Sequence, residues 1–151
     1  TMRKNFAVYF VSILIFYLGF IGNSIAIEEI DKAKSFLKNL TKKKLTKNET
    51  LEFIQLFAIT MVDERGDGEV TYIFDEKEYK RYKNKNVLSK GAWRFTKLGT
   101  LRLFNGDIKL SWKIKMSEKN NIFIKTKYQP IAKAYVFTYK PKKEFLSNIN
   151  K

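Results

Sequence analysis

Ile108-Lys109-Leu110-Ser111-Trp112-Lys113-Ile114-Lys115-Met116 alternates apolar and polar residues without a break. In a β-strand successive side chains point to opposite faces. Ile108, Leu110, Trp112, Ile114 and Met116 therefore share one face, and Lys109, Ser111, Lys113 and Lys115 the other. An apolar side backed by a solvated side is the mark of an antiparallel sheet lying over a core.

The pattern extends in both directions. Towards the carboxyl end it predicts strands at Ile122 to Tyr128 and Lys133 to Tyr139; towards the amino end, at Thr100 to Phe104, Val87 to Phe95 and Glu78 to Lys83. Before these, Phe57, Ile59 and Met61 alternate with Ala58, Thr60 and Val62, and Val70, Tyr72 and Phe74 with Thr71 and Ile73. Asp63-Glu64-Arg65-Gly66-Asp67-Gly68 between those two runs reads as a hairpin turn. Asn84-Lys85-Asn86, Lys97-Leu98-Gly99 and Asn105-Gly106-Asp107 separate later strands. Such loops are too short for a parallel crossover, so consecutive strands must be antiparallel neighbours. The expectation is an up-and-down meander of seven or eight strands, able to curl into a partly closed barrel.

Residues 27–56 read as helical and as packing on that sheet. Ile27, Ile30, Ala33, Leu37 and Leu40 recur at spacings of three and four, with acidic residues early and lysines late, as the helix dipole prefers. Thr46 and Glu49 form a capping-box pair ahead of Leu51, Phe53, Ile54 and Phe57, which predicts a second helix. The fold class expected is α+β, with a meander over 57–140 and a basic tail over 141–151 in which Phe145, Leu146 and Ile149 allow a weak terminal turn.

The first residues read as an address. Arg3 and Lys4 precede the apolar run Phe6 to Ile21, and Ser24 and Ala26 supply the small residues of a signal-peptidase site. Residues 1–26 are thus expected to be a signal peptide, with an uncleaved anchor as the alternative, because no charge occurs from Asn5 to Ile27. Either fate implies an exported protein, periplasmic or extracellular, or anchored in the inner membrane with its domain outside the cytoplasm.

Charge and missing residue types bound the chemistry. The chain carries 30 basic and 15 acidic residues, a net of +15, and has neither His nor Cys. Without those two, Ser-His-Asp and Cys-His catalysis, His or Cys zinc sites, disulfides and lipoprotein attachment are excluded. No cofactor motif occurs, and what remains for catalysis is a carboxylate pair, a Lys, a Tyr or a Ser-Lys dyad, none of them marked by a motif. Of the basic residues 25 are Lys and 5 are Arg. Lys beside abundant Asn, Ile and Phe is what AT-rich codons supply, and the scarcity of Arg argues against specific nucleic-acid binding.

Two sets of candidate residues follow. Lys109, Lys113 and Lys115, with Lys125 and Lys127 on the next strand, would form a cationic stripe for anionic lipid or glycan, or an ordinary solvated face. Trp93, Tyr135 and Phe137 would line a pocket for an apolar small molecule, although most strand aromatics simply fill the core. Asp63, Asp67, Gly68 and Glu69 fail as a calcium loop, because Arg65 takes a ligand position and Phe74 the place of the bidentate Glu. Glu76, Glu78, Lys80 and Arg81 read as a solvated hairpin.

Gly91-Ala92-Trp93-Arg94-Phe95, with Tyr72-Ile73-Phe74 and Tyr79 before it and Gly99-Thr100-Leu101-Arg102-Leu103 after it, resembles the small exported bacterial domains of unknown function known as the DUF995-like group. The resemblance covers residues 46–104 and implies a helical start leading into a Tyr-rich hairpin and a Gly-x-Trp strand. The Cys that often follows in that group is absent. Gly-x-Trp before a glycine turn also resembles lipocalin-like barrels, although there it lies on the first strand and here three expected strands precede it. The expected function is a non-catalytic binding module of the envelope, with a hydrolase as the alternative.

Overall fold

The computed structural model describes residues 24–40, 45–62, 66–116, 122–126, 134–136 and 138–151. The expected leader lies outside them as far as residue 23, and Ser24 to Ala26 open the first helix, α1 (24–39). Then come α2 (Lys47–Leu56), β1 (Phe57–Val62), β2 (Glu69–Phe74), β3 (Glu78–Lys83), β4 (Asn86–Phe95), β5 (Leu101–Asn105), β6 (Ile108–Met116), β7 (Ile122–Thr126), β8 (Ala134–Val136), β9 (Thr138–Pro141) and α3 (Lys142–Ile149). Among the described residues no helix is long and apolar enough to cross a membrane.

All nine strands form one antiparallel sheet in the order β8-β7-β6-β5-β4-β3-β2-β1-β9. The fold is α+β, and the meander curls into a partly open barrel. The stretch expected as one strand, Lys133 to Tyr139, is two. Its first half lies along β7, with Tyr135 opposite Ile124, and its second along β1, with Tyr139 opposite Ile59. One piece of chain thus spans from one edge of the sheet to the other.

The inner face is continuous. Phe57, Ile59 and Met61 of β1, Val70, Tyr72 and Phe74 of β2, Leu101 and Leu103 of β5, and Leu110, Trp112 and Ile114 of β6 all join one core cluster. Tyr72 meets Trp112 edge-on at 4.7 Å between ring centroids, and Phe74 meets Trp112 at 5.9 Å. Large rings suit this position because each buries much apolar area on a pleated surface.

The two amino-terminal helices stand at the end of the barrel where β1 begins. The N-cap of α2 is Thr46, whose hydroxyl accepts from Glu49 N–H and donates to the Glu49 carboxylate at 3.1 Å, so the first half of the expected capping box forms and the carboxylate meets the hydroxyl. Phe53 of α2 stacks on Phe57 at 5.0 Å and meets Tyr139 of β9 edge-on at 5.5 Å. On α1 the inward stripe is Ala33, Phe36, Leu37 and Leu40, while Ile27, expected on it, is 60% exposed because that turn lies beyond the core.

The carboxyl-terminal segment forms a two-turn helix in place of the expected tail. Pro141 closes the β9 ladder and occupies the N-cap of α3. Phe145 meets Tyr82 edge-on at 5.5 Å, and Lys142 Nζ donates to the Phe74 carbonyl. Ala58, Thr71 and Ile73, which alternation sends to the outer face of β1 and β2, are buried on this side. The outer face of β4 to β6 carries no such cover among the described residues.

Candidate anion-binding face and cleft

Register decides which basic residues meet on that open outer face. Gly91 opposite Tyr79 and Trp93 opposite Leu103 lie on the inner side of β4, so Lys90 and Arg94 point outward. Lys90 stands opposite Lys80, Arg94 opposite Arg102, and Lys113 opposite Lys125. Directly opposed like charges destabilise a sheet by about 0.2–1 kcal/mol each, so this arrangement opposes folding. Across β4 to β7 the strands carry seven basic residues, Lys90, Arg94, Arg102, Lys109, Lys113, Lys115 and Lys125, and no acidic one.

Lys90, Arg94, Arg102, Lys109 and Lys113 are exposed and Lys115 is half-buried. The Arg94 guanidinium lies over the Phe104 ring, 5.0 Å from its centroid, which holds that charge against the sheet. Of the five lysines expected in the stripe, Lys109, Lys113 and Lys115 share the outer face of β6, and Lys125 enters by its register with Lys113. Lys127 lies outside the described residues. The sequence reading missed Arg94 and Arg102, because a β4 residue joins a β5 residue only once the register is known.

Among the described residues, two clefts open at the helical end. The larger, about 490 Å³, lies between α1 and α2 and mixes signs, with Lys32 facing Glu49 and Glu52. The smaller, about 350 Å³, is enclosed by the start of α2, the β4–β5 turn and the end of β6. Lys47, Lys97, Lys113 and Lys115 line it beside Thr46, Thr50 and Ile114, and among the described residues no acidic one does. Lys113 and Lys115 belong to the basic sheet face and to this cleft alike, so the two are continuous.

Of the aromatic set, Trp93 is the residue whose side chain is described. Trp93 packs edge-on to Phe74 and Phe95, at 6.2 and 5.7 Å, and its indole N–H donates to the Asp75 carbonyl at 2.8 Å. It lines neither cleft. Tyr135 holds a register position on β8, and Phe137 lies outside the described residues.

Arg81 corrects the solvated-hairpin reading. Its side chain is 3% exposed on the inner face, where it is bonded to Asp67 at 2.7 Å and donates to the Ser89 hydroxyl at 3.0 Å. The guanidinium also stands 5.8 Å from the centroid of Tyr72. Alternation carries the signal: with Tyr79 inward, Lys80 must face out and Arg81 in. Asp67, weighed as a calcium ligand, is the counter-charge, and no metal-holding group of His, Cys, Asp or Glu occurs among the described residues. Its own side chain is 40% exposed, so the pair plugs the barrel near the mouth opposite the helices.

Comparison with known proteins finds no matching family model, no matching curated protein and no matching solved structure.

Proposed function

We propose that this is an exported, non-catalytic binding module of the bacterial envelope, and that the outer face of β4 to β7 engages an anionic envelope component. One observation carries the reading: seven basic side chains and no acidic one occupy four neighbouring strands, with like charges opposed across the ladders. A sheet selected only for solubility would intersperse both signs and gain from opposite-charge pairs. An uninterrupted single-sign face instead concentrates potential where an anionic partner would lie.

The test separates the face from mere net charge. On an immobilised polyanion, Arg94→Gln/Arg102→Gln/Lys109→Gln should elute at clearly lower salt than wild type. Lys32→Gln/Lys34→Gln/Lys38→Gln, which removes three exposed charges from α1, should elute close to wild type. Equal shifts in the two variants would mean that total charge governs binding, and the reading would fail.

A further inference from the structure

The most exposed large apolar side chain in the described structure is Leu98, at 91%; Val62, the next, is at 61%. Leu98 sits at the tip of the β4–β5 turn, and the turn is tightly bonded. Gly99 N–H donates to the Thr96 carbonyl at 3.0 Å, Thr96 N–H to the Thr100 carbonyl at 2.9 Å, and Thr100 N–H to the Thr96 hydroxyl at 3.1 Å. Gly99 takes a φ of +75°, a conformation that side chains other than glycine's rarely adopt. The leucine is therefore held out on a fixed support.

What surrounds it is the lysine-lined cleft. Lys97 precedes Leu98 on the turn, Lys47 stands across on α2, and Lys113 and Lys115 close the side towards β6. An apolar tip encircled by lysines matches the layering of an anionic bilayer, in which acyl chains lie just beneath a sheet of negative headgroups. A soluble polyanion would satisfy the lysines and leave the leucine in water.

We infer that the anionic component is a lipid bilayer, docked through the β4–β5 turn with Leu98 entering the acyl region and a headgroup phosphate seated in the cleft among Lys47, Lys97, Lys113 and Lys115. This rests on the anion-binding reading above and adds its partner, the depth of contact and the orientation.

The chain has no cysteine, so a single introduced thiol can be labelled cleanly. Full-length Leu98→Cys and, at the opposite end of the barrel, Val62→Cys would each carry a polarity-sensitive fluorophore. They would be mixed with phosphatidylglycerol/phosphatidylcholine vesicles or with phosphatidylcholine alone. A blue shift at position 98 on the anionic vesicles only, with position 62 unchanged, is expected. Adding Lys97→Gln/Lys115→Gln should weaken the lipid dependence of that shift by roughly thirtyfold, at about fivefold per lysine. Equal shifts at both positions, a shift on neutral lipid, or none at 98 would overturn the docking. The neutral vesicles control for attachment through the apolar run Phe6 to Ile21 of the full-length chain, which needs no anionic headgroup. Salt-sensitive retention on the polyanion with a silent label at 98 would sink the docking alone; loss of both would sink the anion-binding reading with it.

Discussion

Gly91 shows how one residue type is dictated by its neighbours. A Cβ there would lie 2.5 Å from the Tyr79 ring and still closer to the Phe104 carbonyl oxygen. The ring could swing aside, but the carbonyl belongs to the β4–β5 ladder and cannot move without breaking it. Gly91→Ala should therefore cost about 3 kcal/mol, the upper part of the range for overpacking, measured by denaturant unfolding with an unchanged m-value. A variant as stable as wild type would show that β4 and β5 are not held this close. The Gly-x-Trp motif then has a packing explanation: the glycine accommodates Tyr79, and the tryptophan fills the adjoining inner position, its N–H bonded to Asp75. Arg81 makes the complementary point. A buried guanidinium is tolerated because Asp67, Ser89 and Tyr72 surround it, and removing one partner of such a pair leaves an uncompensated charge.

Among elements, α3 joins parts far apart in the chain. Two lysines at the positive end of a helix are unfavourable in themselves. Here Lys142 donates to the Phe74 carbonyl, and Lys143 lies 3.5 Å from the Glu29 carboxylate of α1. Burial pushes the Lys142 ammonium below its ordinary value of 10.5, against the opposing pull of Asp75 and Glu29, while Lys143 adds to the depression. A base depressed in the folded state binds fewer protons there than in the unfolded chain, so stability rises with pH between the two pKa values. Wild type should gain stability relative to Lys142→Gln as pH rises towards the ordinary lysine value of 10.5, read as the difference in unfolding free energy. A constant difference would place Lys142 in an environment like water. Tyr139, raised above 10.0 by burial, contributes with the opposite sign at higher pH, and because both proteins carry it that contribution cancels in the difference.

The same scale separates what sequence could and could not reveal. Strands β1, β3 and β6 begin and end where the sequence places them; β3 and β6 write their burial into every second residue, whereas β1 is buried on both faces. The division of the last strand is invisible, since Ala134 to Tyr139 reads as one run that is apolar on both faces; the change of partner depends on where the two edges of the curled sheet come to lie. Helix α3 offers few apolar residues behind a proline, and its docking depends on Tyr82, distant in sequence. The lysines of β6 were legible as one face, whereas Arg94, Arg102 and the contributions of Lys47 and Lys97 required register and tertiary packing.

For the whole molecule, the basic face predicts opposite salt responses for stability and for binding. The opposed pairs Lys80/Lys90, Arg94/Arg102 and Lys113/Lys125 add to a net charge of +15, and the folded state brings these charges together. Screening acts over roughly 10 Å at 0.1 M salt and relieves repulsion between exposed groups. Raising salt from about 0.02 M to about 0.5 M should therefore raise the thermal midpoint by about 2–4 °C, the shift that about 1 kcal/mol produces in a chain of this size. The same change should release an anionic partner. Arg102 isolates the trade, because it faces Arg94 and Ser111 across its two ladders, whereas Arg94 also holds a ring contact with Phe104. Arg102→Gln should stabilise the fold by about 0.2–1 kcal/mol at low salt, with the gain vanishing at high salt, while weakening retention on the polyanion. Stability gained where binding is lost is the pattern expected of a surface selected for a partner at some cost to the fold. If Arg102→Gln destabilised the protein, or left binding untouched, the residue would belong to the sheet's own architecture and not to a partner's footprint.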